Sequence, residues 1–530
     1  MKHKIILAAT LTPHGIALLQ EAEDVQLVTI PPSPEALAPH LATAKALIVN
    51  DQLTIDGAVM AAAPGLEIIA RAGASLENIA LDEATRRGII VMNTPGVDAV
   101  TVAEYTFTLM LAILRKPFPA YQHLLSGDWQ APTEWGYQLK GKTLGVVGYG
   151  RVGIEIASRA LAFGLEVLIA DPYVRESQVA GQRLKLVGND ELYARSDIIT
   201  LHTTVIPETH HLLNAHTLGR MKRGVFLLNI KHHSLMDIPA MKEALDSGQV
   251  AGLALDDFDP AALEKGHPLI GHPKVIHTQR MRYYTHEAQR DLSSLLVPQL
   301  LDALRKTDYR NAVNLPFIPG REYDVIQPQM QLAERIGIIL YHLGGKSPIE
   351  RVEISIQGDE MEGMLKPLTV GLLKGLLAPS LGAAVNYINA PVIAHERGIS
   401  VTQSPQLGLD SYPNLLICQV FWEDGRNLVA AGAIFNHTEP RIVQLDQYRT
   451  DFIPEGVLLI MGSYDVPGVI GRVGTYMATH SINIAGWRTS RENKGGNTLS
   501  VIGIDEPLAA DMLDDLRQKD FVRHATQIIF

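Results

Sequence analysis

The sequence predicts an α/β protein that ends in a smaller α+β module. Three observations carry that reading. Short apolar runs alternate with helical segments from Ile5 to about His277, the pattern of buried parallel strands joined by crossover helices. One such run passes through a glycine-rich turn at Gly148, Gly150 and Gly153 directly into a helix. The final stretch, from about Gly456, reads βαββαβ.

Composition bounds the rest. At ~150 residues per domain, a chain of 530 residues has room for about three or four domains. Hydrophobic residues make up 46% and charged residues 19%, enough to fill several cores and unlike a disordered chain. A net charge of −11 offers no field to gather nucleic acid or an anionic membrane, so neither is an expected partner. Cys418 is the only cysteine. One thiol makes no internal disulfide and no cysteine cluster for zinc, which points to an intracellular, cytoplasmic protein.

The start, Met1-Lys2-His3-Lys4 before an apolar run, imitates a weak signal peptide. The run is short and Pro13 and His14 interrupt it, so a buried first strand is the better reading. Further strands are expected at Val25–Ile30, Ala46–Val49 and Glu67–Ala70, then a helix at Val102–Leu114. A second series places strands at Leu144–Val147, Glu166–Ala170, Ile198–Leu201, Val225–Asn229, Ala251–Ala254 and Val275–His277. A helix follows Glu287, and the Pro-rich segment Leu315–Gly320 marks a domain boundary. No apolar run is read as approaching the ~20 residues of a membrane span.

The glycine turn carries the chemistry. Leu144–Val147 runs into Gly148-Tyr149-Gly150-Arg151-Val152-Gly153, and a helix, Ile154–Phe163, follows at once. In such a turn the first glycine permits the bend, the second admits a pyrophosphate to the backbone, and the third lets helix and strand pack closely. The helix N-terminus offers N–H groups to phosphate. Asp171 ends the next strand, near the ~20-residue spacing expected of a carboxylate that holds the ribose hydroxyls. The unit is therefore read as a Rossmann domain binding NAD in preference to NADP.

This turn, together with "NTPGVDAVTVAE" (Asn93–Glu104), "ALDDF" (Ala254–Phe258) and "THEAQ" (Thr285–Gln289), resembles the D-2-hydroxyacid dehydrogenases. Residues Lys366–Ile399 resemble the intervening domain of long-form D-3-phosphoglycerate dehydrogenases, and Tyr464–Trp487 their C-terminal ACT domain. The resemblance implies a flavodoxin-like substrate domain (1–98 and 288–314) with the NAD-binding Rossmann domain (99–287) inserted in it. An intervening α+β domain (320–452) and a ferredoxin-like ACT domain (456–530) follow. It implies oxidation of 3-phosphoglycerate, the first step of serine synthesis. It assigns Gly148, Gly150, Arg151, Val152, Gly153, Asp171, Thr203 and Asp256 to the cofactor and Gln289 to the substrate.

The sequence departs from that family where the chemistry is done. The family pattern N-C-A-R-G-G-x-x-D is here Asn229-Ile230-Lys231-His232-His233-Ser234-Leu235-Met236-Asp237, so His232 takes the arginine position. The family glutamate falls at Ala261 and the family histidine at Arg280. An Arg-Ser pair expected to meet the substrate phosphate is Asn50-Asp51, and an Asn in the loop after "NTP" is Asp98. Acids where phosphate should bind are repulsive. Two readings remain open: His232 as base and Arg280 as carboxylate anchor in exchanged roles, or drift after loss of the usual catalysis. No orienting carboxylate is legible for His232. A metal site is not expected, because adjacent histidines on a strand-to-turn segment point different ways and no acidic ligand pattern surrounds them.

In the terminal module, Asp465 and Asn483 match the family's amino-acid-binding positions. The resemblance implies a small effector, L-serine, and subunits paired at least as a homodimer.

Overall fold

The computed structural model describes residues 2–127, 135–179, 183–257, 266–315, 323–345, 347–404, 412–436 and 438–530. The chain divides into two compact units. Met1–Thr10, Leu18–Asn93 and Leu296–Phe530 form one; Leu11–Ala17 and Thr94–Leu295 form the other.

In the first unit, β1 (His3–Ala8), β2 (Val25–Thr29), β3 (Ala46–Val49), β4 (Ile68–Arg71) and β5 (Ile90–Met92) make a parallel sheet in the order β2-β1-β3-β4-β5. This is the flavodoxin-like order. All four residues of β3 and of β4 are buried, which is why β3 and Ile68–Ala70 read as unbroken apolar runs; β4 closes on the buried Arg71. Strand β5 is not among the strands expected from the sequence. Three residues are too few to show a period, and distant residues complete it: Met92 bridges Ala312, and Val313 N donates to Val91 O.

The second unit holds β6 (Thr143–Val147), β7 (Glu166–Ala170), β8 (Leu184–Leu186), β9 (Ile198–Leu201), β10 (Val225–Asn229), β11 (Val250–Leu255) and β12 (Val275–His277). They lie parallel in the order β12-β11-β10-β9-β6-β7-β8. The order runs outward in both directions from β6, the doubly wound arrangement. Its reversal point, between β6 and β9, is where such sheets take ligands at the strands' carboxyl ends. The short β8 also goes unannounced in the sequence, for the same reason as β5. Helix Arg151–Ala162 starts three residues earlier than expected, directly at the glycine turn.

From Leu296 onward the chain is back in the first unit. There β13 (Ile349–Gln357), β14 (Ser400–Ser404), β15 (Leu415–Trp422), β16 (Asn427–Phe435), β17 (Glu439–Leu445) and β18 (Tyr448–Phe452) form a mixed sheet ordered β14-β13-β15-β16-β17-β18. Only β13 and β14 pair in parallel. Helices Tyr323–Gly344 and Leu365–Leu381 pack with this sheet in one core. The second helix corrects the expectation about apolar runs: Leu365–Ala384 is long and apolar enough to cross a membrane by length and composition. Leu368, Leu372, Leu373, Leu376 and Leu377 are buried in that core, and a helix apolar on every side suits such burial.

The chain ends in β19 (Val457–Tyr464), β20 (Ile484–Arg491), β21 (Asn497–Ile504) and β22 (Val522–Ile529), antiparallel in the order β20-β21-β19-β22. With helices Val469–Thr479 and Ala510–Arg517 between them, this is the ferredoxin-like βαββαβ that the sequence predicts.

Candidate active site

The glycine turn sits at the reversal point of the doubly wound sheet. Gly148 has φ +96, and a Cβ there would lie 2.8 Å from the backbone of His202 and Thr203, the residues leaving β9. A Cβ on Gly153 would strike the Gly148 carbonyl oxygen. A Cβ on Gly150 would meet nothing within 4 Å. Gly150 caps the helix without a side-chain hydrogen bond, so the first-turn N–H groups of Arg151, Val152 and Gly153 have no intrahelical acceptor. Two glycines are thus required for packing, and the third borders open space beside a helix N-terminus. That is the cradle a pyrophosphate needs.

Asp171 follows β7. Its Oδ2 accepts from Tyr149 N at 2.8 Å and its Oδ1 from Tyr173 N at 2.9 Å. The carboxylate is thereby fixed beside the turn, with lone pairs left for ribose hydroxyls. His202 is half-buried beside Thr200, with Nε2 and Oγ1 2.7 Å apart, and desolvation pushes its imidazole down to about 3.

A charged cluster lies past the ends of β10 and β11. These strands pair with Asn229 opposite Leu255, so the residues that follow them emerge side by side. Asn229 shapes the first turn: its Oδ1 accepts from Lys231 N and His232 N, and its Nδ2 donates to His232 O at 2.8 Å. His232 caps the short helix His233–Leu235; its Nδ1 accepts from Ser234 N at 3.2 Å and lies 2.6 Å from Ser234 Oγ. His233 meets Asp257. Asp257 Oδ2 accepts from His233 N at 3.1 Å and lies 3.2 Å from His233 Nδ1.

Asp257 has a second partner, Arg280, whose Nε donates to Oδ1 at 2.6 Å. The Asp257 side chain is 1% exposed, against 33% for His233 and 39% for Arg280. Burial raises its carboxyl, but the His233 hydrogen bond and the Arg280 and Arg282 charges lower it more, to about 2.

Asp256 is fully buried. Its carboxylate accepts from Thr278 Oγ1, Met281 N and Arg282 N, and pairs with Arg282 Nη1 at 3.2 Å. Arg282 Nη1 also donates to Asp256 O at 3.0 Å. Asp256 therefore organises the 278–282 segment through contacts within the protein.

Two premises drawn from the sequence change here. The adjacent histidines do not diverge: their rings lie 4.2 Å apart, centroid to centroid, tilted by 30°. An acid also accompanies them, since ligand atoms of His232, His233 and Asp257 all lie within 4.8 Å of one another. The guanidinium of Arg280 on the same carboxylate opposes a cation there, so the geometry reads as a hydrogen-bonded histidine–carboxylate pair. An orienting carboxylate is therefore present, but it serves His233. Neither His233 nor Asp257 has a catalytic role in the family resemblance, which assigns roles to their neighbours His232 and Asp256. The Asp256-Asp257 and His232-His233 doublets were the signal. Ala261, expected at the family glutamate position, lies outside the described residues.

Gln289, on helix His286–Arg305, has a buried Oε1 with no hydrogen-bond partner among the described residues. Asn50 and Asp51 form the turn after β3, where Asn50 Oδ1 accepts from Gln52 N. Asp98 precedes helix Ala99–Arg115 and makes no side-chain cap.

In the terminal module, Asp465 borders a cavity of about 410 Å³ with Val466, Pro467, Gly468, Thr498 and Ser500. Its Oδ2 accepts from Gly495 N at 2.8 Å, with Arg491 Nη1 at 3.6 Å. Gly468 caps the helix, so Pro467 stands just before the first turn. Asn483 does not line this cavity; its Nδ2 donates to Asp505 Oδ2 at 2.7 Å.

The fold and glycine turn define the class. Residues 107–281 match the family model for the D-isomer specific 2-hydroxyacid dehydrogenase NAD binding domain, and NAD is the cofactor of that domain. Residues 325–446 match the D-3-phosphoglycerate dehydrogenase intervening domain. The chain is 34% identical to the D-3-phosphoglycerate dehydrogenase of Archaeoglobus fulgidus over 99% of both chains. It is 32% identical to that of Bacillus subtilis over 97% of both. Among solved structures, the TT0316 protein of Thermus thermophilus matches with a TM-score of 0.54 and 33% identity, covering 58% of this chain and 99% of that one. The D-lactate dehydrogenase of Aquifex aeolicus, solved with NAD and lactic acid, matches at 0.51 and 25%, covering 57% and 96%. The chain belongs to the D-3-phosphoglycerate dehydrogenase family of D-2-hydroxyacid dehydrogenases.

Proposed function

We propose that this chain binds NAD(H) and that its 3-phosphoglycerate oxidation is impaired, its acid–base chemistry having been altered. The cofactor would lie on Gly148, Gly150, Arg151, Val152, Gly153, Asp171 and Thr203, with Asp256 fixing the adjacent 278–282 segment. When bound, NAD supplies the hydride acceptor. The chain's own part is to hold a 2-hydroxy or 2-keto acid, with Gln289 as one contact, and to move a proton.

One observation carries the reading. Arg280 stands where the family has its base, and it is bound to a buried, ionised Asp257. An arginine keeps its proton in proteins, so it cannot accept one from the substrate. Loss of a general base typically costs a factor of ~10²–10⁴. Asn50-Asp51 and Asp98 also replace groups suited to a phosphate. The test is direct: titrate NADH by fluorescence, then assay 3-phosphoglycerate oxidation. Tight NADH binding with turnover far below ~1 s⁻¹ is the expected result. Ordinary turnover would refute it.

The terminal module is read as an effector site. Asp465 would meet an ammonium group and the nearby helix N-terminus a carboxylate. Asn483 lies outside the cavity that Asp465 borders, so its contribution would come from a second subunit in a homodimer or larger assembly.

A further inference from the structure

We infer that His233, oriented by Asp257, is the group that carries the proton in this altered chemistry on a small 2-hydroxy or 2-keto acid. The inference rests on the NAD-dependent reading above and names the residue that would make it an enzyme.

Hydrogen bonding separates the two histidines. The Ser234 N–H donates to His232 Nδ1, so in the neutral ring Nδ1 holds the lone pair and Nε2 the proton. That ring has its only lone pair inside its own turn. In His233 the order is reversed. Nδ1 faces the Asp257 carboxylate, which only accepts when ionised. The proton sits on Nδ1, and Nε2, across the ring, keeps its lone pair. Nε2 has no hydrogen-bond partner among the described residues, and a third of the side chain is exposed.

The surrounding charges suit a proton carrier. Facing His233 are the His232 ring and Asp257; behind Asp257 stand Arg280, Arg282 and Asp256. Lys231 lies two residues back, and His211 N bonds Ser234 O. Asp256 and Asp257 offset Arg280 and Arg282, so a proton taken up at His233 would leave the cluster net cationic, with the Asp257 carboxylate as its direct partner and a ready path to release. Arg280 acts through Asp257: it keeps that carboxylate ionised and in place. Asp257 and Arg280 are thus positioning residues.

In oxidation the substrate O–H proton would pass to Nε2 while the C2–H electron pair leaves as hydride to NAD⁺, giving the keto acid and NADH. Reduction reverses both transfers.

The experiment uses the full-length protein. NADH oxidation is followed with glyoxylate, pyruvate and hydroxypyruvate, in wild type and in His233→Gln, His232→Gln, Asp257→Asn and Asp257→Glu. Independently of turnover, diethyl pyrocarbonate modification of each histidine is mapped by mass spectrometry, with and without NADH plus oxamate. His233→Gln should lower kcat by about a hundredfold or more with NADH affinity within about twofold of wild type. Asp257→Asn should lower kcat with little change in KM, and Asp257→Glu should recover part of it. Oxamate with NADH should protect His233 from modification. A smaller loss in His233→Gln, a larger loss in His232→Gln, or an unprotected His233 overturns the assignment. If NADH binds but no acid is reduced by wild type, the acid–base assignment falls and the cofactor reading survives. If NADH does not bind, both fall.

Discussion

Alanine at Gly153 and alanine at Gly150 should fail in opposite ways. At Gly153 a methyl group would strike the Gly148 carbonyl oxygen and sit 3.2 Å from its carbon and 3.6 Å from Val146 Cγ1. The obstacle is backbone and cannot rotate aside. Overpacking of this kind costs about 1–3 kcal/mol. In a unit of roughly 200 residues, that lowers the melting temperature by about 2–4 °C per kcal/mol, so on the order of 5 °C in the absence of cofactor. At Gly150 a methyl group meets nothing, and φ −76, ψ −166 is extended backbone open to alanine. The cofactor-free melt should hold or rise slightly, since alanine restricts the unfolded chain. The methyl would occupy the space that a pyrophosphate must enter, so NADH affinity should fall at least about tenfold, or ~1.4 kcal/mol. Thermal melts with and without NADH, paired with fluorescence titration, check both. A Gly150→Ala protein that melts as low as Gly153→Ala, or binds NADH like wild type, refutes the argument.

Asp171→Ala should erase a preference for NADH over NADPH, because the carboxylate repels a 2′-phosphate; parallel titrations with both cofactors read this, and equal wild-type affinities would refute it. Asp257 should make folding acid-sensitive. Its carboxyl is depressed from 3.8 to about 2, so its stabilisation, about 2 kcal/mol, is present above pH ~4 and lost as pH falls toward ~2. Urea unfolding across that window should show the slope, and Asp257→Asn should flatten it. L-Serine at millimolar concentration should raise the melting temperature, and Asp465→Ala and Asn483→Ala should each blunt the rise. At about 100 times the dissociation constant the gain is ~2.7 kcal/mol per site; an undiminished response in both variants would place the ligand elsewhere.

Much of the fold was legible because its signals are local. A buried parallel strand is an apolar run, and the glycine turn holds its strand, bend and helix in one continuous stretch of chain. Asp171 needs only to follow the next strand. What escaped was short or non-local. β5 and β8 have three residues each, and Val91 of β5 accepts from Val313, far along the chain. The apolar helix Leu365–Leu381 is understood only from the core around it.

The sequence by itself determined the strand–turn–helix that cradles a dinucleotide, and the family resemblance led to the expectation of His232, Ala261 and Arg280 at the family's arginine, glutamate and histidine positions. It could not say which histidine has a carboxylate, because His233 and Asp257 are 24 positions apart. Only the tertiary structure decided that. The parallel register of β10 and β11 sets Asn229 opposite Leu255, and the residues that leave two paired strands at the same level must come out as neighbours.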